Sequence, residues 1–411
     1  MNGELQSVRL GGFHREKIRL AEADVKRGPQ GVDWPKNGSE LRISAYGRRF
    51  ALPFRAPSRI WSVRVSDQPH DLDLKGLIAK VVQGVHLSAE EAEGAFDLFM
   101  AGSASEVEMA GLLVGLRAKG LQPAEVAGGI RALRKAMVPV SSSDPSTLVD
   151  TAGTGGGEVT TFNISTAAAL VAAGAGVPMA KHGNRSFTSR CGSADVLEAL
   201  GVKIDLTPQQ MGEVLSEVGI VFMFAPLLHP AMRHVGPVRR ALGITTVMNI
   251  LGPLTNPAGA QRQVFGVADP ELIDLVADSL QELGHIRALV VHGEPGMDEI
   301  SPSGATSVAQ LTEAGLTRFE VTPEALGLET ADLASLAGGE PSQNAETIER
   351  VLGGEQGGAR TAVVLNAAGA IFVAGSVESL DAGVRMAESS IDDGRAAQAL
   401  DRLKAATQAR S

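Results

Sequence analysis

From Leu148 onward the chain alternates between short apolar runs and longer segments whose apolar residues recur every three or four positions. The runs "LVDTAG", "VPMAKHG", "VKID", "IVFMFAP", "QVFGVA" and "RALVVHG" read as strands. The segments "STAAALVAAGAG", "SADVLEALG", "TPQQMGEVLSEVG" and "ELIDLVADSLQELG" carry helical spacing, and "TAVVLNAAGAIFVAG" closes the series. Strand followed by helix, repeated, predicts a mostly parallel central sheet with right-handed crossovers. Two segments, "HPAMRHVGPVRRALG" and "TVMNILGPLTNPA", are helical but fall outside the alternation.

Between Asp73 and about Val138 the period is helical throughout, in four pieces. The middle two open with Ser-x-x-Glu capping boxes, Ser88 with Glu91 and Ser105 with Glu108. The pattern therefore predicts an α/β chain with a small all-helical domain and a larger α/β domain around a mostly parallel sheet. The expected boundaries are 71–145 for the helical domain, joined by helices from about 229–256, and 146–411 for the α/β domain.

Residues 1–70 break with this pattern. They hold 13 Lys/Arg against 7 Asp/Glu, a net of +6, which leaves −16 for the other 341 residues of a chain whose total is −10. Both tryptophans (Trp34, Trp61) and the single tyrosine (Tyr46) also lie there. The stretch from Arg42 to Val65 alternates weakly, as a hairpin would, but turn residues and prolines interrupt the segment. A basic, polar extension that orders poorly and is dispensable is the expectation. Glu16, Glu22 and Asp24 argue against a targeting peptide.

Composition narrows the function classes. Hydrophobic residues make up 44% and aromatics 4%, so the core is built from small aliphatic side chains, as in helix-covered parallel sheets. No apolar run reaches the roughly 18 residues that a membrane span needs. One cysteine, Cys191, cannot form an intrachain disulfide, which points to a reducing, cytoplasmic setting, and it reads as a packing residue. The acidic balance argues against general nucleic-acid affinity.

Three stretches carry candidate chemistry. "DTAGTGGGEVTTFNIST" (150–166) joins a strand end to a helix start through Gly153, Gly155, Gly156 and Gly157, with Asn163 or Ser165 placed to cap a helix beginning at Thr166. Such a turn suits phosphate and serves equally as a plain strand-to-helix connection; it matches neither a Walker loop nor a dinucleotide fingerprint. "AKHGNRSFTSRCGSAD" gathers Lys181, Arg185 and Arg190 with Ser186, Thr188, Ser189 and Ser193 after the next strand, a composition that suits a polyanion. His182 there reads first as a structural hydrogen-bonder. "VVHGEPGMDEISPSG" sets Asp298 beside Glu299 on a Gly/Pro-rich loop. Such a pair is commonly just solvated, yet next to a pyrophosphate it suits Mg²⁺.

Taken in order, "GTGG…FNIST", "KHGNR", "GSADVLEALG", "NILGPLTNP" and "GMDEIS" resemble the anthranilate phosphoribosyltransferase family over about residues 73–407. The resemblance implies a nucleoside phosphorylase/phosphoribosyltransferase-like fold. It also implies a homodimer formed through the helical domain, Mg²⁺ as cofactor, and anthranilate and phosphoribosyl pyrophosphate (PRPP) as substrates, with no nucleic-acid or membrane partner. It assigns PRPP to Gly153, Gly156, Gly157, Thr161, Asn163, Ile164, Ser165, Thr166, Lys181, Arg185, Ser189 and Ser193. Metal falls to Ser165, Asp298 and Glu299, and anthranilate to Gly153, His182, Asn184, Arg239 and Gly252. No single acid/base residue is expected. One departure stands out: the family usually carries Asp where this chain has Gly157, with Glu158 next to it. A nucleoside phosphorylase-like enzyme is the alternative, and a non-catalytic nucleic-acid-binding relative a more distant one.

Overall fold

The computed structural model describes residues 32–33, 40–45, 48–53, 73–157, 159–186 and 190–410. Contacts divide the chain into two units, Met1–Asp71 and Leu72–Ser411. In the first, β1 (Val32–Asp33), β2 (Glu40–Ala45) and β3 (Arg48–Pro53) form a small antiparallel sheet with Leu41 opposite Leu52 and Ile43 opposite Phe50. The hairpin expected in this region is β2 with β3. The rest of the segment, including the expectation of poor order, lies outside the described residues.

The second unit begins with α1 (Leu74–Val82), α2 (Ala89–Met100), α3 (Glu106–Lys119) and α4 (Pro123–Ala136). Both capping boxes form: Ser88 accepts from the Glu91 amide while Glu91 accepts from the Ser88 amide, and Ser105 with Glu108 repeats this. Each box satisfies two backbone donors that the first helical turn leaves without partners.

The α/β part follows as β4 (Val149–Gly153), α5 (Ile164–Gly174), β5 (Met179–Gly183), α6 (Ser193–Ala199), α7 (Pro208–Val218) and β6 (Ile220–Phe224). Three helices intervene, α8 (Ala225–Leu228), α9 (Met232–Leu242) and α10 (Met248–Leu251), before β7 (Arg262–Gly266), α11 (Leu272–Glu282) and β8 (Arg287–Gly293). A hairpin, β9 (Thr306–Thr312) and β10 (Gly315–Val321), and four helices complete it: α12 (Pro341–Leu352), α13 (Gly358–Val373), α14 (Leu380–Asp392) and α15 (Arg395–Gln408). The sheet order is β10-β9-β8-β7-β4-β5-β6, parallel from β8 to β6 and antiparallel across β9 and β10.

Two hydrophobic clusters hold this unit together. One packs Phe96 against Phe99 edge to face, with Leu112, Leu116, Ile130 and Leu133. It continues through Val235, Val238, Ile250 and Leu251, so the helices that stood outside the alternation join the helical bundle, as their position predicts. The other cluster buries the sheet's second face under α5, α13, α14 and α15.

Three sequence expectations change. "VKID" (202–205) is not a strand; Val202 and Ile204 are buried in an irregular connector, which also produces a period of two. The β9–β10 hairpin gave no clear signal because β10 is exposed over most of its length and shows no buried alternation. The closing apolar stretch is α13, a helix buried almost all round, and its length identifies it better than its periodicity.

Candidate active site

The chain runs from β4 outward through β5 to β6, then returns to place β7 on the other side of β4. That reversal opens a crevice at the carboxyl ends of β4 and β7, the usual ligand position in such sheets. Gly153 and Gly266, register partners, end these two strands, and Gly293 ends β8. The loop after β8 folds back over all three. Asp298 accepts from the Gly155 amide at 2.8 Å and Glu299 from the Ser165 amide at 3.1 Å. A Cβ on Gly153 would collide with the Asp298 carboxylate, one on Gly266 with the Asp298 carbonyl, and one on Gly293 would stand 2.5 Å from the Glu299 carbonyl. The strand-end glycines are therefore what lets two carboxylates enter the crevice.

Ser165 sits in the first turn of α5, and its hydroxyl accepts from Lys181 Nζ at 3.3 Å. Lys181 is buried and also donates to the Thr151 carbonyl at 2.6 Å. A cavity of about 10 Å³, room for one water-sized occupant, is lined by Ser165, Asp298 and Glu299 together with Thr151 and Gly266. Burial and the neighbouring Asp298 charge push the Glu299 carboxyl up to about 8, burial pushes Asp298 up, and burial pulls Lys181 down. Hard oxygen donors crowded in this way fit Mg²⁺, which takes few carboxylates and completes its shell with water and phosphate. Among the described residues no group of three or more His, Cys, Asp or Glu side chains is placed to hold a metal ion.

The glycine loop is less simple than its sequence. Gly155 and Gly156 are exposed with φ of 65° and 77°, a left-handed backbone that favours glycine. The helix begins at Ile164, two residues earlier than expected, with Asn163 at the N-cap but making no side-chain cap bond. Asn163 instead ties α5 to its surroundings, donating to the Cys191 carbonyl and accepting from Asn344 at 2.9 Å. The Thr166 hydroxyl is buried with no partner among the described residues. Thr161 lies in a short bridge with Ala337. At Gly157 a Cβ would stand 2.6 Å from the Gly296 carbonyl oxygen, so the loop after β8 fills the space an acidic side chain there would use. Glu158 and Ser189 lie outside the described residues.

Arg185 departs from the expected geometry. Its guanidinium pairs with Asp195 and Glu198, each at 2.6 Å, and lies 5.5 Å from the centre of the Phe224 ring, so it is held against α6. Arg190 is exposed near Glu340. Ser193 donates to the Asn184 carbonyl at 3.2 Å, closing the same loop.

His182 is buried and its Nε2 lies 3.2 Å from Nε2 of His229, which sequence reasoning overlooked. Burial holds both below the usual histidine range, His229 at about 4. One ring must donate and the other accept, so at least one is neutral, and burial favours the neutral form of both. Asp150, buried at the foot of this pair, accepts from the His182 amide at 3.1 Å and from Asn256 at 2.8 Å. The Arg239 guanidinium, on α9, makes no hydrogen bond or ion pair with a described residue, and burial lowers it. Gly252 follows α10, and a Cβ there would stand 3.6 Å from the Met248 carbonyl oxygen, an ordinary contact.

Comparison with known proteins agrees with this geometry. The glycosyl transferase family α/β domain matches residues 145–397 and the family's helical bundle domain matches 75–137. Anthranilate phosphoribosyltransferase from Moorella thermoacetica is 49% identical over 332 residues, 81% of this chain and 98% of the relative. The chain belongs to the anthranilate phosphoribosyltransferase family. The Thermus thermophilus enzyme superposes with a TM-score of 0.77 at 45% identity, covering 80% of this chain and 99% of the other. The Saccharomyces cerevisiae enzyme, solved in complex with PRPP and Mg, does so at 0.75 and 27% identity, covering 82% and 99%. These relatives support neither the phosphorylase alternative nor the nucleic-acid-binding one.

Two predictions follow from the geometry. A histidine whose folded pKa lies below its unfolded value stabilises the fold above the unfolded pKa, near 6.5, and loses that contribution as pH falls toward the folded one. Chemical denaturation should therefore show stability dropping between pH 6.5 and 4, with about 3 kcal/mol traceable to His229. His229→Gln should flatten the slope by about one proton, and an unchanged slope would contradict a neutral pair. Gly157→Asp should push the loop at Gly296 outward, costing about 1–3 kcal/mol. Its melting temperature should fall; a variant at least as stable as the parent would show that the space is not filled.

Proposed function

We propose that the protein transfers the phosphoribosyl group of PRPP to the amino nitrogen of anthranilate, yielding N-(5-phosphoribosyl)anthranilate and pyrophosphate in tryptophan biosynthesis. The observation that carries the reading is the Asp298–Glu299 loop docked on the glycine turn and on Ser165, beside a buried lysine. In this reading PRPP is held by Gly153, Gly156, Gly157, Thr161, Asn163, Ile164, Ser165, Thr166, Lys181, Ser189 and Ser193. Arg185 joins them only by leaving Asp195 and Glu198. Ser165, Asp298 and Glu299 hold Mg²⁺, which supplies charge neutralisation for the pyrophosphate. Arg239, half-buried and with no carboxylate in ion-pair contact among the described residues, is suited to the anthranilate carboxylate, with His182, Asn184, Gly153 and Gly252 lining the approach and His229 added to them.

The C1–O bond to pyrophosphate breaks with its electron pair leaving on the pyrophosphate, the anthranilate nitrogen forms the new bond to C1 with inversion, and the nitrogen then gives up a proton. A neutral aromatic amine is already a nucleophile, so no strong base is needed. The chain's contribution is positioning and electrostatics: Lys181 and the Gly156 and Gly157 amides would face developing negative charge. His182 and His229, held neutral, orient the acceptor rather than exchange protons with it.

The helical domain, 71–145 with 229–256, serves as the dimerisation element of this reading. Val82, Val107, Val114 and Ile244 are exposed, Val107 to 81%, on α1, α3 and the loop that Arg117 binds through the Thr245 carbonyl. Large apolar side chains grouped in this way suit a second copy of the chain. The cytoplasm is the proposed compartment; no helix among the described residues is long and apolar enough to cross a membrane.

Loss of anthranilate fluorescence in the presence of PRPP and Mg²⁺ tests the activity, and its absence would defeat the proposal. Glu299→Gln is expected to lower kcat roughly 100-fold or more, whereas Arg239→Ala should act chiefly by raising the KM for anthranilate. Light scattering on a Val107→Asp, Val114→Asp double variant should report a monomer where the parent is a dimer. A monomeric parent would remove the dimer from the reading.

A further inference from the structure

At the edge of the sheet opposite the crevice, β7 opens with Arg262 and β8 with Arg287. The two are register partners on parallel strands, so both side chains leave the sheet on one face and reach the C-terminal end of α13. Arg262 donates Nε to the Ser146 carbonyl at 2.8 Å and Nη1 to the Val373 and Ala374 carbonyls at 2.9 and 3.0 Å. Arg287 makes one longer bond, 3.4 Å, to the Phe372 carbonyl. Gly375, with φ of 78°, turns the chain between them: a Cβ there would stand 3.3 Å from Nη1 of each guanidinium.

Capping the helix does not require both charges. A helix C-terminus carries about half a negative charge, and two guanidiniums bring two positive ones. Arg262 alone bonds two of the terminal carbonyls. The acidic groups facing the pair are Asp144 and Glu313, and neither lies within ion-pair distance of either arginine. Asp144 is occupied by the amide and hydroxyl of Ser146, and Glu313 is exposed on the β9–β10 turn. Among the described residues, Nε and Nη2 of Arg287 and Nη2 of Arg262 have no protein acceptor. They border an open cavity of about 310 Å³ that Thr312, Glu313 and Gly375 also line. Two guanidiniums side by side at a cavity, with no carboxylate in ion-pair contact among the described residues, suit an anion.

We propose that this cavity binds a phosphate-type oxyanion, taken from inorganic phosphate or from a small phosphomonoester, through the paired guanidiniums of Arg262 and Arg287. The site is separate from the crevice: β7 and β8 run from the arginines at one edge of the sheet to Gly266 and Gly293 at the other. Arginine forks suit this chemistry because two parallel N–H groups match two oxygens of one tetrahedral anion. The proposal does not depend on the reaction assigned to the crevice.

Crystals of the full chain soaked in arsenate, an anomalous scatterer of phosphate shape, locate the site directly. A peak between the guanidiniums of Arg262 and Arg287 is expected, and it should vanish in Arg287→Gln while any peak at Gly155 and Gly156 remains. In solution, equilibrium dialysis with inorganic phosphate and with ribose 5-phosphate measures the component of binding that Arg287→Gln removes. Losing a charge-assisted fork should weaken that component roughly tenfold or more, with turnover unchanged, and the tighter of the two probes identifies the source. Arg287→Lys, which keeps the charge without the fork, should fall between and guards against a misfolded glutamine variant. An arsenate peak confined to the crevice, or equal affinity in parent and both variants, overturns the proposal.

Discussion

The approach of the Asp298–Glu299 loop to the ends of β4, β7 and β8 is the contact on which the rest of the site depends. It joins Gly155 to a residue 143 positions away and Ser165 to one 134 positions away, through backbone amides that would otherwise face solvent or substrate. No side chain larger than hydrogen fits at Gly153 or Gly266 without displacing it. Asn366 of α13 secures the next residue by bonding both the amide and the carbonyl of Ile300, at 2.9 and 3.0 Å. The loop is thereby tied to the crevice on one side and to a core helix on the other.

Such a loop carries an electrostatic cost. Asp150 and Lys181 are buried, Asp298 and Glu299 are half-buried, and burial is the largest influence on each. Charges in these numbers contribute little to stability by themselves, since desolvation offsets most of their attraction. Their arrangement makes sense as a site waiting for charged partners, and perturbed groups gathered in one crevice are a mark of function. The same reasoning separates the two kinds of arginine: Arg185 has two carboxylates and a ring, whereas Arg239 is half-buried with neither among the described residues.

Much of this was legible in the sequence, for physical reasons that also explain the gaps. Period and capping chemistry are local, so α2, α3 and most parallel strands could be read from their own residues. Ser165, Asp298 and Glu299 were recoverable because each belongs to a motif whose residue types already imply oxygen chemistry. His229 was not, because a histidine opening an amphipathic helix gives no sign of facing another 47 residues earlier. Gly266 and Gly293 were silent for a similar reason: a glycine at a strand end looks like punctuation until the carbonyl that packs on it is known. Arg185 was read by charge alone, and charge does not show that Asp195, one helical turn into α6, would claim it.

Gly157 shows how such a departure is accommodated. The resemblance to the family implies an acidic residue at this point of the loop, and glycine there leaves the mouth of the crevice without that charge. The Gly296 carbonyl oxygen lies 2.6 Å from where the missing side chain would begin, so an electronegative atom stands beside that position as a neutral dipole fixed by the backbone. The residues on either side support that placement: the Gly293 and Met297 amides and carbonyls bond reciprocally, closing the turn that aims Gly296 inward. Charge lost from the side chain at 157 is thus matched by geometry gained from the loop after β8. The two segments have to be read as one packed unit, because restoring the side chain without moving the loop would place an oxygen-bearing group against another oxygen.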